Sequence, residues 1–286
     1  MHYPVMLPEV LEYLAIRPDG IYLDATTGMG GHSGAIASHL TSGLVISNDR
    51  DAVSLEMARR NCEPWVERMR FHQGDFRSLP EALREAGVDA VDGLVGDFGV
   101  SRYQLTSAER GFSLQADGPL DMRMDQGQSL TAADIVNTTG EKDLANLIYE
   151  LGEERHSRRI ARNIVRHRPI RSTLHLVRVV EEVLPRRGRL SPATQTFLAL
   201  RRAVNEEDGQ LRTFFDLAPG LVKSGGRLVV ISFMSLEDRI AKIRLRELEK
   251  QGTAKVLTKH VVKPSAEETV ANPASRSAVL RAIQMV

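Results

Sequence analysis

The sequence predicts an α/β protein in which a mostly parallel, doubly wound sheet is interrupted by an all-helical insertion. Three observations carry that prediction. Short apolar runs at 21–23, 44–49, 69–72 and 91–97 alternate with stretches of helical periodicity, the pattern of successive βαβ units. Each run leads to an aspartate, Asp24, Asp49, Asp75 or Asp97, and ligands collect at the carboxyl ends of parallel strands. From Leu105 to about Ser191 no strand pattern occurs, and a fifth apolar run, 227–233, follows only after that interval. The expected division is 1–104 as the first part of the sheet domain, 105–191 as the helical insertion and 192–286 as the second part.

Taken in order, Val5 to Leu14 reads as a short helix with Val10, Leu11 and Leu14 on one stripe, packed in front of the first strand. Strand 21–23 runs into Asp24-Ala25-Thr26-Thr27-Gly28-Met29-Gly30-Gly31-His32, and a helix opens at Ser33. Glycines at 28, 30 and 31 permit positive φ and let a ligand approach the main chain without meeting a Cβ, while the N–H groups of the helix start offer donors. A dinucleotide turn would place a third glycine where this chain has Ser33, and an acid at position 24 repels a pyrophosphate. The same acid can accept a hydrogen bond from the ammonium of an amino-acid-bearing cofactor, so S-adenosylmethionine fits better. Three glycines alone are also compatible with a tight bend and nothing more.

The run 44–49 ends at Asp49, about 20 residues past the turn, where a ribose diol lies in nucleotide-binding βαβ units. Helix 52–61, strand 69–72, the turn Gly74-Asp75-Phe76, helix 79–86 and strand 91–97 complete the first part. The insertion reads as helices at 131–137, 141–151, 153–168 and 173–184. In the third of these, Ile160, Ala161, Ile164 and Val165 share one arc, and Arg155, Arg158, Arg159, Arg162 and Arg166 share another. Helices 193–207 and 210–222 lead to strand 227–233 and helix 236–250. Two closing β-like segments, 254–262 and 277–283, resemble the antiparallel edge of class I methyltransferases.

Charge and composition exclude several classes of function. The net charge is +1, but Glu153 to Arg189 holds 11 arginines and four glutamates, so one basic segment sits in an otherwise acidic chain. Arg168, Arg171, Arg178, Arg186, Arg187 and Arg189 continue the arginine arc, and a face of one sign suits a polyanion better than solvent alone. A single cysteine, Cys62, rules out an intramolecular disulfide, and a reducing cytoplasm is the expected location. No apolar run reaches the length of a membrane span, and metal-ligand spacings are absent among the eight histidines. Addition to a pyrimidine ring would need a cysteine nucleophile at a strand end, and Cys62 lies in a helical stretch. Asp97-Phe98-Gly99-Val100 is suited to an exocyclic amine: the carboxylate accepts an N–H, which localises the lone pair, and Phe98 either stacks on an extruded base or packs in the core.

Several motifs carry a closer resemblance. They are Tyr3-Pro4-Val5, the turn from Asp24 to Ser33, Gly99-Val100-Ser101-x-x-Gln104-Leu105, Arg110-Gly111-Phe112-Ser113 and the run Asp117 to Asp125. Thr131-Ala132-Ala133-Asp134, Gly152-Glu153-Glu154-Arg155 with Arg158-Arg159-Ile160-Ala161, Pro192-Ala193-Thr194 and Ser235-Leu236-Glu237-Asp238-Arg239 follow in order. Together they resemble the small-subunit ribosomal RNA cytosine-N4 methyltransferase family, across nearly the whole chain. The resemblance implies a Rossmann-like class I fold and transfer of a methyl group from S-adenosylmethionine to N4 of one cytosine in the decoding region. It implies ribosomal RNA or the small subunit as partner and no metal, and it is compatible with a homodimer. Cofactor contacts carried over by position are Gly30, Gly31, His32, Asp49, Phe76, Asp97 and Gln104, with Asp97 also gripping the amine. His32 contacts the cofactor either through its side chain or through its backbone alone, the ring then capping the helix. Asp117, Asp121 and Arg123 belong to a run that either shapes the base pocket or ties itself down, and Arg155, Arg158, Arg159 and Arg162 face the RNA.

The chain departs from the family pattern at five places. Phe98 stands where leucine is usual, Arg102 where serine is, Ser191 and Gln195 where histidine and arginine are, and Met234 where histidine is. The cofactor motifs are retained while substrate-side positions change. A paralogue acting on another RNA position, or a ribosome-assembly factor with weakened catalysis, is the alternative.

Overall fold

The computed structural model describes residues 4–184 and 190–286. Tyr3 of the first motif and Arg186, Arg187 and Arg189 of the basic segment lie outside the described residues. The chain divides into two compact units, residues 1–99 with 209–286, and residues 100–208.

The first unit begins with α1 (Leu7–Leu14), which buries Val10 and Leu14. It continues through β1 (Ile21–Asp24), α2 (Gly31–Ser38), β2 (Leu44–Asp49), α3 (Ala52–Asn61), β3 (Met69–Gln73), α4 (Leu79–Glu85) and β4 (Val91–Asp97). The second unit holds α5 (Arg102–Thr106), α6 (Ala132–Thr138), α7 (Glu141–Gly152), α8 (Ser157–Arg166), α9 (Thr173–Glu181) and α10 (Thr194–Val204). The chain then returns through α11 (Glu207–Leu221), β5 (Val222–Ser232), α12 (Ser235–Lys250), β6 (Ala254–Val256), α13 (Ala266–Ala271) and β7 (Val279–Met285).

The sheet order is β3-β2-β1-β4-β5-β7-β6. β1 to β5 run parallel, while β7 pairs antiparallel with both β5 and β6. The chain winds outward from β1 to β3 and then restarts at β4 on the other side of β1, so the switch point of the topology lies between β1 and β4. Side chains alternate along the strands: Leu23, Ile46, Leu94, Leu228 and Val230 pack under α4, α11 and α12, and Tyr22, Val45, Val95, Val229 and Ile231 pack under α1 and α2. The helical unit has a core of its own, including Leu144, Ile148, Ile160, Ile164, Leu176 and Leu200.

Element boundaries differ from expectation where a side chain or a left-handed residue intervenes. The expected helix from Glu153 starts at Ser157, because Glu153 is left-handed (φ 53°) and the Glu154 carboxylate accepts from His156 N. The helix read as continuous to Glu207 breaks at Asn205-Glu206. There Glu206 has φ 51°, and the Asn205 amide accepts from Met124 N and donates to the Met122 carbonyl. In the tail, β6 stops at Val256 and α13 forms where a loop is expected, capped by Ser265 Oγ accepting from Glu268 N. No helix among the described residues is long and apolar enough to cross a membrane.

Candidate active site

The turn after β1 depends on its glycines and on groups beneath it. Gly28 and Gly30 are left-handed, with φ 52° and 88°. A Cβ on Gly30 would lie 2.7 Å from Cys62 Sγ, whose thiol donates to the Gly30 carbonyl at 3.3 Å. Burial pushes that thiol up to about 11, which suits a packing role and not a nucleophile. Gly30→Ala is expected to destabilise the protein by about 1–3 kcal/mol in urea unfolding, with part recovered when Cys62→Ala is added, because the clash is relieved and the φ strain remains.

Asp24 corrects one expectation. It is fully buried, and both oxygens are occupied: Oδ2 accepts from Ser33 Oγ at 2.6 Å and Oδ1 from Thr26 N at 3.1 Å. Ser47 Oγ on β2 donates in turn to Ser33 Oγ at 3.0 Å. With no exposed surface, Asp24 rivets the turn from below and is not open to an ammonium. Burial raises its carboxyl above the usual carboxylate range, opposed by His32, Ser33 and main-chain N–H groups. The position that disqualifies a dinucleotide turn, Ser33, is the link between the acid and the second strand.

At the end of β2, Asp49 is half-buried and accepts from Gly28 N at 2.7 Å and Asp51 N at 2.9 Å. Burial pushes its carboxyl up to about 6 despite those donors. Its neighbour Asn48 joins three strand ends: its side-chain amide donates to the carbonyls of Ala25 and Gly74, and its main-chain carbonyl accepts from Thr27 N. After β3, Asp75 is a capping group, held by Arg77 and by Gln210 Nε2 at 2.8 Å. Phe76, half-buried, forms an edge-packed cluster with Phe98 and Phe214. Phe98 is only 4% exposed, so it serves the core and not a stacking platform.

Asp97 closes the row of strand ends. Its main-chain N–H donates to Thr26 Oγ1 at 2.7 Å, tying β4 to the glycine turn. Oδ2 lies 3.9 Å from His32 Nδ1, while Oδ1 is buried with no hydrogen-bond partner. Burial pushes this carboxyl up to about 7; His32 opposes the rise, and Asp24 and Glu237 add to it. Glu237, at the start of α12, accepts from Phe233 N and Met234 N. The His32 ring does not cap its helix: Nε2 lies 2.9 Å from the Val5 carbonyl oxygen.

Thus Gly30, Gly31, His32, Asp49, Phe76 and Asp97 are brought together in the first unit. Thr26 and Ser33, read from the sequence only as parts of the turn, and Asn48, which carried no signal there, support them. The remaining candidates lie in the second unit. Gln104, buried, forms a capping box with Ser101 at the start of α5. Asp121 and Arg123 make a two-pronged ion pair at 2.7 and 2.8 Å, and Arg123 also holds the carbonyls of Gln126 and Gln128. Asp117 is exposed and accepts from Leu174 N. On α8, Arg155 just before it and Arg158, Arg159, Arg162 and Arg166 along it are exposed, while Ile160, Ala161 and Ile164 are buried. Glu141 reaches Arg162 at 3.4 Å, the one acid paired with this face among the described residues. Arg168 does not extend the face: its guanidinium donates to the carbonyls of Val136 and Thr139, capping the end of α6. A groove of about 390 Å³ is lined by His156, Arg159, Thr194 and two of the departing positions, Ser191 and Gln195. Among the described residues no group of three metal-ligating side chains occurs.

A parallel sheet with this strand order, a reversed β7, a glycine turn after β1 and acids ending β2 and β4 defines a class I methyltransferase. The match of the whole chain, residues 1–286, to the model of the MraW methylase family makes it a member of that family. A relative from Solibacter usitatus, described as ribosomal RNA small subunit methyltransferase H, is 63% identical over 285 residues, covering 100% of both chains. One of the same description from Acidobacterium capsulatum is 50% identical over 293 residues, covering 99% of this chain and 98% of the relative.

Proposed function

We propose that the protein transfers a methyl group from S-adenosylmethionine to the N4 amine of a cytosine in small-subunit ribosomal RNA. The observation that carries this reading is the buried, unpartnered Oδ1 of Asp97 at the switch point of the sheet, an acceptor that lacks a donor until a ligand supplies one. The relatives' description supports ribosomal RNA as substrate, and the exposed arginines of α8 give its phosphates a surface of matching charge.

The residues fit the cofactor. The start of α2 at Gly30 and Gly31 suits its amino-acid end, Asp49 the ribose hydroxyls, and Phe76 the adenine; Gln104 is assigned as a further contact. When bound, S-adenosylmethionine supplies an electrophilic methyl group on a sulfonium. The protein's task is then positional and electrostatic. The lone pair of a cytosine amine is delocalised into the ring, and an N–H donated to Asp97 Oδ1 holds the amine in place and localises that pair on nitrogen. Asp97 must be ionised to accept, so its raised pKa makes the reaction pH-dependent in the neutral range. Asp117, Asp121 and Arg123 are assigned to the loop that borders the base, and Arg155, Arg158, Arg159 and Arg162 to the RNA backbone.

Purified protein incubated with undermethylated small subunits and methyl-labelled cofactor is expected to place label on a cytosine amine. Label confined to protein, or no transfer, contradicts the reading; binding to the subunit with neither transfer nor cofactor affinity would mark an assembly factor instead.

A further inference from the structure

The surroundings of His32 are more specific than a cofactor-binding turn requires. A carbonyl oxygen can only accept, so Nε2, at 2.9 Å from the Val5 carbonyl, carries the ring's proton in the neutral imidazole, and Nδ1 keeps its lone pair. The ring is 5% exposed. The segment it holds is fixed from two sides, because a Cβ on Gly31 would meet Pro4 and Met6 N donates to Glu268 Oε1 at 2.7 Å. Nδ1 is thereby aimed at Asp97 Oδ2, 3.9 Å away, while the other oxygen of the same carboxyl, Oδ1, is buried and lacks a partner. The charged groups that face this carboxyl are Asp24 from β1, Glu237 from α12 and His32 from α2, two acids and one base. A lone pair facing a carboxylate at this distance is favourable only when a proton is available to lie between them.

We propose that His32 is the positioning residue of Asp97, the two sharing a proton between Nδ1 and Oδ2 that keeps the carboxyl an acceptor, so that Oδ1 takes the proton of the methylated amine. The inference rests on the amine-methylation reading above. An amine that has gained a methyl group carries one proton in excess. The N–H bond breaks, its electron pair stays on nitrogen, and the proton forms an O–H bond at Asp97 Oδ1. The carboxyl then holds that proton until solvent removes it at its exposed edge. His32 does not touch the amine; it acts through the carboxyl, countering the two neighbouring acids that favour a protonated Asp97 before the reaction.

His32→Gln retains a side-chain donor for the Val5 carbonyl and deletes Nδ1. In single-turnover transfer to RNA, the rise of rate with pH is expected to move to higher pH by about one unit in His32→Gln, because the proton that Nδ1 holds against Oδ2, which favours the carboxylate, is lost with the ring. A purely structural ring would lower the rate at every pH without moving that limb, and this result overturns the proposal. The cofactor-free protein supplies a second readout: ¹⁵N imidazole spectra are expected to show the His32 Nδ1 resonance shifting in Asp97→Asn while Nε2, held on Val5, does not. An unmoved Nδ1 resonance overturns the pairing. Wild-type protein that transfers no methyl to RNA would overturn the amine-methylation reading, and the cofactor-free spectra then decide the pair independently.

Discussion

Asp97→Asn is expected to lower methyl transfer by about 10²–10⁴-fold, the range for loss of a positioned proton acceptor, and to leave RNA affinity unchanged. It is also expected to make the protein more stable at pH 8. The carboxyl stands at about 7 in the fold against 3.8 ordinarily, so the folded chain binds a proton there that the unfolded chain releases at lower pH. Stability from that proton is fully present below the ordinary value and is lost as pH rises through about 7. Above that, the folded protein holds a poorly solvated carboxylate with one unpartnered oxygen. Asparagine removes that charge with little change in shape. With 22% of the side chain exposed and His32 nearby, the gain is about 1–2 kcal/mol at pH 8 and close to zero at pH 4, measurable by urea unfolding at the two pH values. In the wild type, transfer should rise as pH rises through about 7. A loss of activity without the stability gain would mean that the residue is structural.

Arg158→Glu with Arg162→Glu is expected to weaken RNA binding by about 10–100-fold at moderate salt and to flatten the dependence of log K on log salt by about 1–2 units, with cofactor affinity unchanged. Both side chains are exposed on α8, and the apolar arc behind them, Ile160, Ala161 and Ile164, is untouched by the substitutions, so the helical core should survive. Arg158 has the cleaner effect of the two. Arg162 is already drawn toward Glu141, and its reversal also sets two acids side by side. Filter binding or fluorescence titration across a salt series separates loss of phosphate contacts from a folding defect. An unchanged salt slope would remove α8 from the RNA interface.

The features legible in the sequence are those with a short-range signature. Parallel strands buried on both faces read as apolar runs, and Asp24, Asp49 and Asp97 are visible as the acid that ends β1, β2 and β4. The two faces of α8 follow from helical periodicity, so Arg158 and Arg162 could be assigned outward before any packing was known. What a residue does across the chain was not legible. Asp24 looks like an open acceptor until Ser33 and Ser47, 9 and 14 residues apart in successive links, close over it. Arg168 belongs to the same run of arginines as Arg158, yet α6 presents two carbonyls that claim it. The break at Asn205-Glu206 depends on main-chain groups of Met122 and Met124, more than 80 residues away. The orientation of His32 depends likewise on a carbonyl of the N-terminal segment, which no local pattern announces.

The most direct measurement of the central claim is nucleotide mapping by mass spectrometry of small-subunit ribosomal RNA from cells with and without this protein. One N4-methylated cytosine should lose that methyl group when the protein is absent and regain it when wild-type protein, but not Asp97→Asn, is restored. An unchanged set of cytosine modifications, or a loss confined to positions other than a cytosine amine, would contradict it.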